Sequence, residues 1–247
     1  MRSLVLYIAL VLMVSGCEPY QLDDCFSSAG EVRTEFRELE SFDRLQVGQK
    51  FDVRLIQDTS KPESIEITSG SNLIEGIETE VQDGMLQVRN RNMCNFVRSF
   101  KDRIQLVINI HDISEMTITG DVFVQSTDTL FLENLHIYQS ALNDIDLILN
   151  VQERVLVNSI NSGQIILHGK SRKLEGSIEE VSDLDARTLI CEEVLIDSHT
   201  PLDCFINATK LIFVKIYNRG NIIYMQEPSG LKELNVREGS GDLLRFK

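Results

Sequence analysis

The stretch NDIDLILNVQERVLVNSINSGQIIL, residues 143–167, decides the reading of the fold. It opens on the turn pair Asn143-Asp144 and runs into an apolar strand, IDLIL. It then meets a second apolar stretch, VLV at 155–157, and turns again at Ser162-Gly163 before QIIL. The same unit recurs on both sides. Gly120-Asp121 precedes VFV, Ser182-Asp183 precedes LDA, and Leu202-Asp203 precedes CFI; Gly220-Asn221 precedes IIY and Gly241-Asp242 precedes LLRF. Successive turns lie 18 to 23 residues apart. The second stretch recurs as LHI (135–137), LEGSI (174–178), VLI (194–196), LIFV (211–214) and LNV (234–236). One such unit cannot bury its apolar side alone, so a period near 20 with two short strands predicts a β-solenoid whose coils pair at about 4.8 Å. A β-sandwich also repeats turn signals, but its strands are longer and less evenly spaced.

Upstream, the period is two. Phe51, Val53 and Leu55 alternate with Asp52 and Arg54, Ile65 and Ile67 with polar neighbours, and Ile104, Leu106, Ile108 and Ile110 with Gln105, Val107 and Asn109. These are half-buried strands. Asp83-Gly84 between apolar runs predicts a hairpin. Asn72–Ile77 reads as a helical turn with Asn72 as its cap. The fold class is therefore all-β: a strand-rich N-terminal part (31–112) followed by a β-helix-like solenoid (113–247).

The chain begins with a different signal. Arg2 gives a positive start, and Leu4–Val14 are uncharged and apolar, too short to span a bilayer core of about 30 Å but suited to a signal peptide. The run ends in Val14-Ser15-Gly16-Cys17, which looks like a bacterial lipobox. Small residues there admit the peptidase, and the Cys17 thiol accepts diacylglycerol. Residues 1–16 are thus expected to be a lipoprotein signal peptide and 17–30 a lipidated, turn-rich tether. Each buried acyl CH₂ contributes about 0.8 kcal/mol, and stable anchoring takes more than one chain, which lipidated Cys17 would carry. Export permits disulfides. Cys25 and Cys94 stand in polar surroundings and are the expected pair, whereas Cys191 and Cys204 lie in apolar runs and read as small buried hydrophobes.

A strand-rich start carrying SFDRLQVGQKFDVRLIQ (41–57), GSNLIEGIETEVQDGMLQVRN (70–90) and MCNFVRSF (93–100), followed by turns such as Gly239-Ser240-Gly241-Asp242, resembles the head GIN domain. This is the putative auto-transporter adhesin family of Gram-negative lipoproteins. The resemblance implies a β-helix-like fold in the cell envelope, as an outer-membrane lipoprotein, with an adhesin-like role. It supplies no catalytic residues.

The 247 residues are 43% hydrophobic and 25% charged, an ordinary globular composition, with a net charge of −14. Nucleic-acid binding through a basic surface does not fit that charge. Without Trp, and with 5 Tyr and 4 His, there is little material for an aromatic sugar platform or a His-based metal centre. Asp144 with Asp146, and Asp183 with Asp185, share strand faces as a polysaccharide-active enzyme's carboxylates would, but an Asp opening a strand is ordinarily a solvated turn residue. His111, His136, His168 and His199 have no ligand spacing, and Tyr138, Tyr217 and Tyr224 read as strand packing. Stacked turns could align Asp121, Asp144, Asp183, Asp203 and Asp242 as calcium ligands, although Gly163 and Asn221 interrupt that column. No catalytic residue and no cofactor are expected. The reading is a non-enzymatic, lipid-anchored binding or scaffold protein, its partners the membrane through Cys17 and a protein or matrix ligand. The alternatives are a degenerate polysaccharide-active β-helix enzyme and a structural envelope spacer.

Overall fold

In the computed structural model, which describes residues 29–92 and 103–247, the alternating residues become strands stacked coil upon coil. The first part holds β1 (Val32–Glu38), β2 (Arg44–Val47), β3 (Phe51–Gln57), β4 (Ser64–Gly70), helix α1 (Ser71–Ile74), β5 (Ile77–Gln82), β6 (Met85–Asn90) and β7 (Ile104–Ile110). Then come β8 (Glu115–Gly120), β9 (Val122–Ser126), β10 (Leu130–Ala141), β11 (Ile145–Ser159), β12 (Gln164–Ile178) and β13 (Asp183–Ser198). The last coils are β14 (Cys204–Ile206), β15 (Ala208–Ile216), β16 (Ile222–Tyr224), β17 (Lys232–Arg237) and β18 (Leu243–Arg245). The C-terminal part is a β-solenoid of about six turns with a repeat of about 20 residues.

The core is made of columns. On one sheet face Val124, Ile145, Ile165 and Leu184 stand in register, continued by Cys204, Ile222 and Leu243. On the other, Leu45, Met116, Ile137, Val157, Gly176, Ile196 and Val214 do the same. Nearly all of these side chains are buried in one continuous cluster. Apolar residues at alternate positions with a parallel register necessarily stack like with like, so each coil roofs the last.

Two local features differ from the sequence expectation. The two short strands per unit are fused in β10 to β13 into bent strands of 12 to 16 residues, because a register shift, as between Val151 and Arg154, turns the corner without ending the ladder. Asn72 lies inside α1, whose N-cap is Gly70 with no side-chain cap hydrogen bond. The hairpin at Asp83-Gly84 forms as expected: β5 and β6 are antiparallel, and both turn residues have positive φ, 50° and 77°.

Chain order and stacking order differ near the start. β2 is bonded in parallel to β6 on one side and β8 on the other, and β3 likewise to β7 and β9. The 44–57 coil is thus threaded between a coil that follows it closely and one beginning at residue 115, and pairing runs unbroken past position 112. Antiparallel β5, β4 and β1 finish that end of the stack. Arg103 clamps the junction, bonding Asp52 and, at 2.7 Å, Asp121, while donating to the Phe51 and Asp121 carbonyls at 2.9 and 2.8 Å.

Cys17, Cys25 and Cys94 lie outside the described residues, as do the signal segment 1–16 and the tether to residue 28. Among the described residues, no helix is long and apolar enough to cross a membrane.

Candidate functional site

The outward positions that open each strand carry the acidic turn residues. Register places Asp144, Gln164, Asp183 and Asp203 in one column on neighbouring coils, continued by Asn221 and Asp242. Asp121 is not in it: Val124 pairs with Ile145, so Phe123 is opposite Asp144, and Asp121 bonds Arg103 and Asn143 instead. The residue interrupting the carboxylates is Gln164 rather than Gly163.

Stacked carboxylates about 4.8 Å apart repel, and the amides relieve this by supplying donors. The Gln164 backbone N–H donates to Asp144 Oδ1 at 3.1 Å and its side-chain amide to Asp183. Asn221 donates twice to Asp203 Oδ1, at 2.8 and 2.9 Å, and accepts from the Asp242 N–H at 3.0 Å. The ladder stitches coils together. Among the described residues, no three His, Cys, Asp or Glu side chains are grouped so as to hold a metal ion.

Half-burial pushes the Asp183 carboxyl above its ordinary range; the Gln164 bond opposes this, and Asp144 and Asp185 reinforce it. A group whose folded pKa is raised destabilises the fold when ionised, so the penalty is present at pH 7 and fades as pH falls through that raised value. Asp183→Asn keeps an acceptor for Gln164 and should therefore stabilise at pH 7. The expected gain is about 0.2–1 kcal/mol, the scale of a like-charge cross-strand pair. Thermal melts at pH 7 and pH 3 check this: a loss at pH 7, or an equal gain at both, contradicts it.

The second i, i+2 carboxylates take separate roles. Asp146 Oδ1 is 3.1 Å from His168 Nε2, whose Nδ1 is 2.5 Å from Thr188 Oγ1, a relay across three coils. It resembles a hydrolytic triad in connectivity, but Thr188 is exposed and both His168 and Asp146 are about two-fifths exposed, so no wall excludes water. Asp185 pairs with Arg187 at 2.7 Å, and that guanidinium lies 4.0 Å over Phe205. His136 meets Asn158, His111 meets the Lys61 carbonyl, and His199 stacks on Tyr217 at 4.2 Å. Tyr224 is buried, whereas Tyr138 is half-buried on an outward position. Cys191 and Cys204 are buried and unbridged, their thiols pushed up to about 12 by burial, which leaves neither a nucleophile at neutral pH. Periodicity could reveal the ladder's carboxylates; its amides and the Asp–His–Thr relay could be found only from register.

The chain is similar to known proteins in sequence pattern and in fold. The family model described as "Putative auto-transporter adhesin, head GIN domain" matches residues 41–228. The chain belongs to this head GIN domain family. Among solved structures, a putative adhesin from Bacteroides fragilis is similar, with 21% identity and a TM-score of 0.77, over 87% of this chain and 97% of that one. A putative adhesin from Parabacteroides distasonis is 17% identical with a TM-score of 0.64, over 88% and 98% of the two chains. A putative lipid binding protein from the same species is 14% identical with a TM-score of 0.62, again over 88% and 98%. At these identities the likeness is one of fold. No curated protein matches the sequence.

Proposed function

We propose that this head GIN protein is a lipid-anchored component of the cell envelope, held in the outer membrane through Cys17, with a non-enzymatic, adhesin-like binding or scaffold role. The observation that carries the reading is the Val14-Ser15-Gly16-Cys17 boundary, which closes an eleven-residue apolar run ahead of a polar tether. A Cys25–Cys94 bridge would tie that tether to the segment between β6 and β7. The non-enzymatic part is supported by how the candidate carboxylates are used: Asp144, Asp183 and Asp203 stitch coils, and Asp146 and Asp185 pair with His168 and Arg187 on open sheet faces.

Two measurements test the reading. The expressed full chain should incorporate labelled palmitate, and Cys17→Ser should abolish it; undiminished labelling of that variant removes the anchor. Pull-down from intact envelope with the lipidated protein should then capture a partner, whereas turnover of a polysaccharide lost in Asp146→Ala would replace the binding role with a catalytic one.

A further inference from the structure

The middle coils bend between their two sheet faces, and the bends line up into a groove along the stack. Asn150, Lys170 and Ile190 follow one another on adjacent strands in register and form one wall. Gln152 and the matching bend residues of the next coils form the other. Between them lie Val151, Ser171 and Cys191, all buried. The groove is shallow and open to solvent along its length, with a volume of about 510 Å³.

Its polar groups are unevenly satisfied. Arg172 is held by Glu153 and Lys210 by Glu192, each at 2.8 Å, and Lys173 and Arg154 both meet Glu175. The floor and rim hydroxyls are also engaged, Ser171 Oγ on the Lys173 carbonyl at 3.0 Å and Thr209 Oγ1 on the Cys191 carbonyl at 3.1 Å. Among the described residues, the side chains of Lys170, Asn150 and Gln152 have no hydrogen-bond or ion-pair partner. In a chain of net charge −14, an unneutralised ammonium and two unused carboxamides thus face one groove with an apolar floor, beside an Ile190 that is 50% exposed.

We propose that this groove binds a glycan strand bearing carboxylates, laid along the solenoid axis. Lys170 takes the carboxylate of a uronate-type unit as a charge-assisted hydrogen bond, and Asn150 and Gln152 meet ring hydroxyls as both donors and acceptors. Ile190, half exposed on the groove wall, covers the C–H face of a ring, the part an aromatic platform would otherwise play. Coils succeed one another at about 4.8 Å, close to the advance of one hexose in an extended chain, so neighbouring sugars meet neighbouring coils. The carboxylates at the groove, Glu192 and Glu153, are paired with Lys210 and Arg172, and acidic groups further off than about 8 Å are largely screened at physiological ionic strength, so the local attraction of Lys170 stands.

The assignment deepens the binding role proposed above and rests on it. The test is an array of neutral and uronate-bearing oligosaccharides probed with the full-length protein in detergent, followed by titration of the best uronate-bearing oligosaccharide and its carboxyl-reduced counterpart. The uronate form should bind, carboxyl reduction should weaken it about tenfold, and Lys170→Gln should remove that preference by the same factor. Gln152→Ala should weaken both forms. Ile190→Glu, which sets a carboxylate beside Lys170, should abolish binding with an unchanged circular dichroism melt, since the position is exposed. Equal binding of the reduced form, or uronate binding untouched by Lys170→Gln, overturns the assignment. An array without a single bound glycan, while envelope pull-down still captures a partner, also overturns it and leaves the binding role standing.

Discussion

Ile165→Ala should destabilise the protein toward the upper end of about 2–5 kcal/mol, and Ile166→Ala, one residue on, by less than about 1 kcal/mol. Ile165 is fully buried between Ile145 and Leu184 of the neighbouring coils, whereas Ile166 is half-buried on the outward face. The cavity left at Ile165 has a packed coil on either side, so the walls cannot collapse into it. Leu244→Ala, at an outward position 44% exposed in the last coil, should fall at or below about 2 kcal/mol, because little of that side chain is enclosed and an end coil, with one neighbour, can relax. Urea unfolding at constant m-value measures all three. Equal small costs at 165 and 166 contradict the inward–outward assignment; a largest cost at 244 makes the last coil a clamp.

Gly169→Ala should be comparably damaging for a different reason. Gly169 sits in β12 at φ +101°, and a Cβ there would come 2.0 Å from the carbonyl oxygen of Leu149 in the coil before. Backbone cannot swing aside as a side chain can, so the two strands must part. The left-handed conformation costs an L-residue about 1–2 kcal/mol and the overpacking about 1–3 more, giving about 2–5 kcal/mol. Gly84→Ala is the control. That glycine also has positive φ, 77°, but a Cβ would meet side-chain ends, the Asp43 carboxylate at 3.0 Å and Arg44 Nη2 at 4.0 Å, which can swing aside, so the loss should stay near the conformational part alone. Thermal and urea unfolding of both variants check the ordering, and equal losses remove the backbone contact as the cause.

Much of the fold was legible because a solenoid writes its register into the sequence. Turn residues recur every 18 to 23 positions, and inward residues such as Ile145, Ile165 and Leu184 each come one or two positions after one. The hairpin at Asp83-Gly84 was equally local, since a tight turn demands positive φ at those two residues. The ladder was only half legible. A carboxylate at the start of a strand is visible, but whether it joins a column depends on a one-residue register, which sent Asp121 to Arg103 and put Gln164, not Gly163, between Asp144 and Asp183.

By itself, the sequence determined the all-β class, the repeat near 20, and which residues face inward, because periodic burial is a local property of alternating side chains. The family followed from those strands and turns. Only the tertiary structure decided that residues 44–57 are threaded between strands at 85–110 and 115–126, since parallel pairing links residues far apart in the chain and leaves no local mark. It also decided which polar groups meet. Asp146, His168 and Thr188, or Asn150, Lys170 and Ile190, are each separated by about one coil, and stacking makes them neighbours.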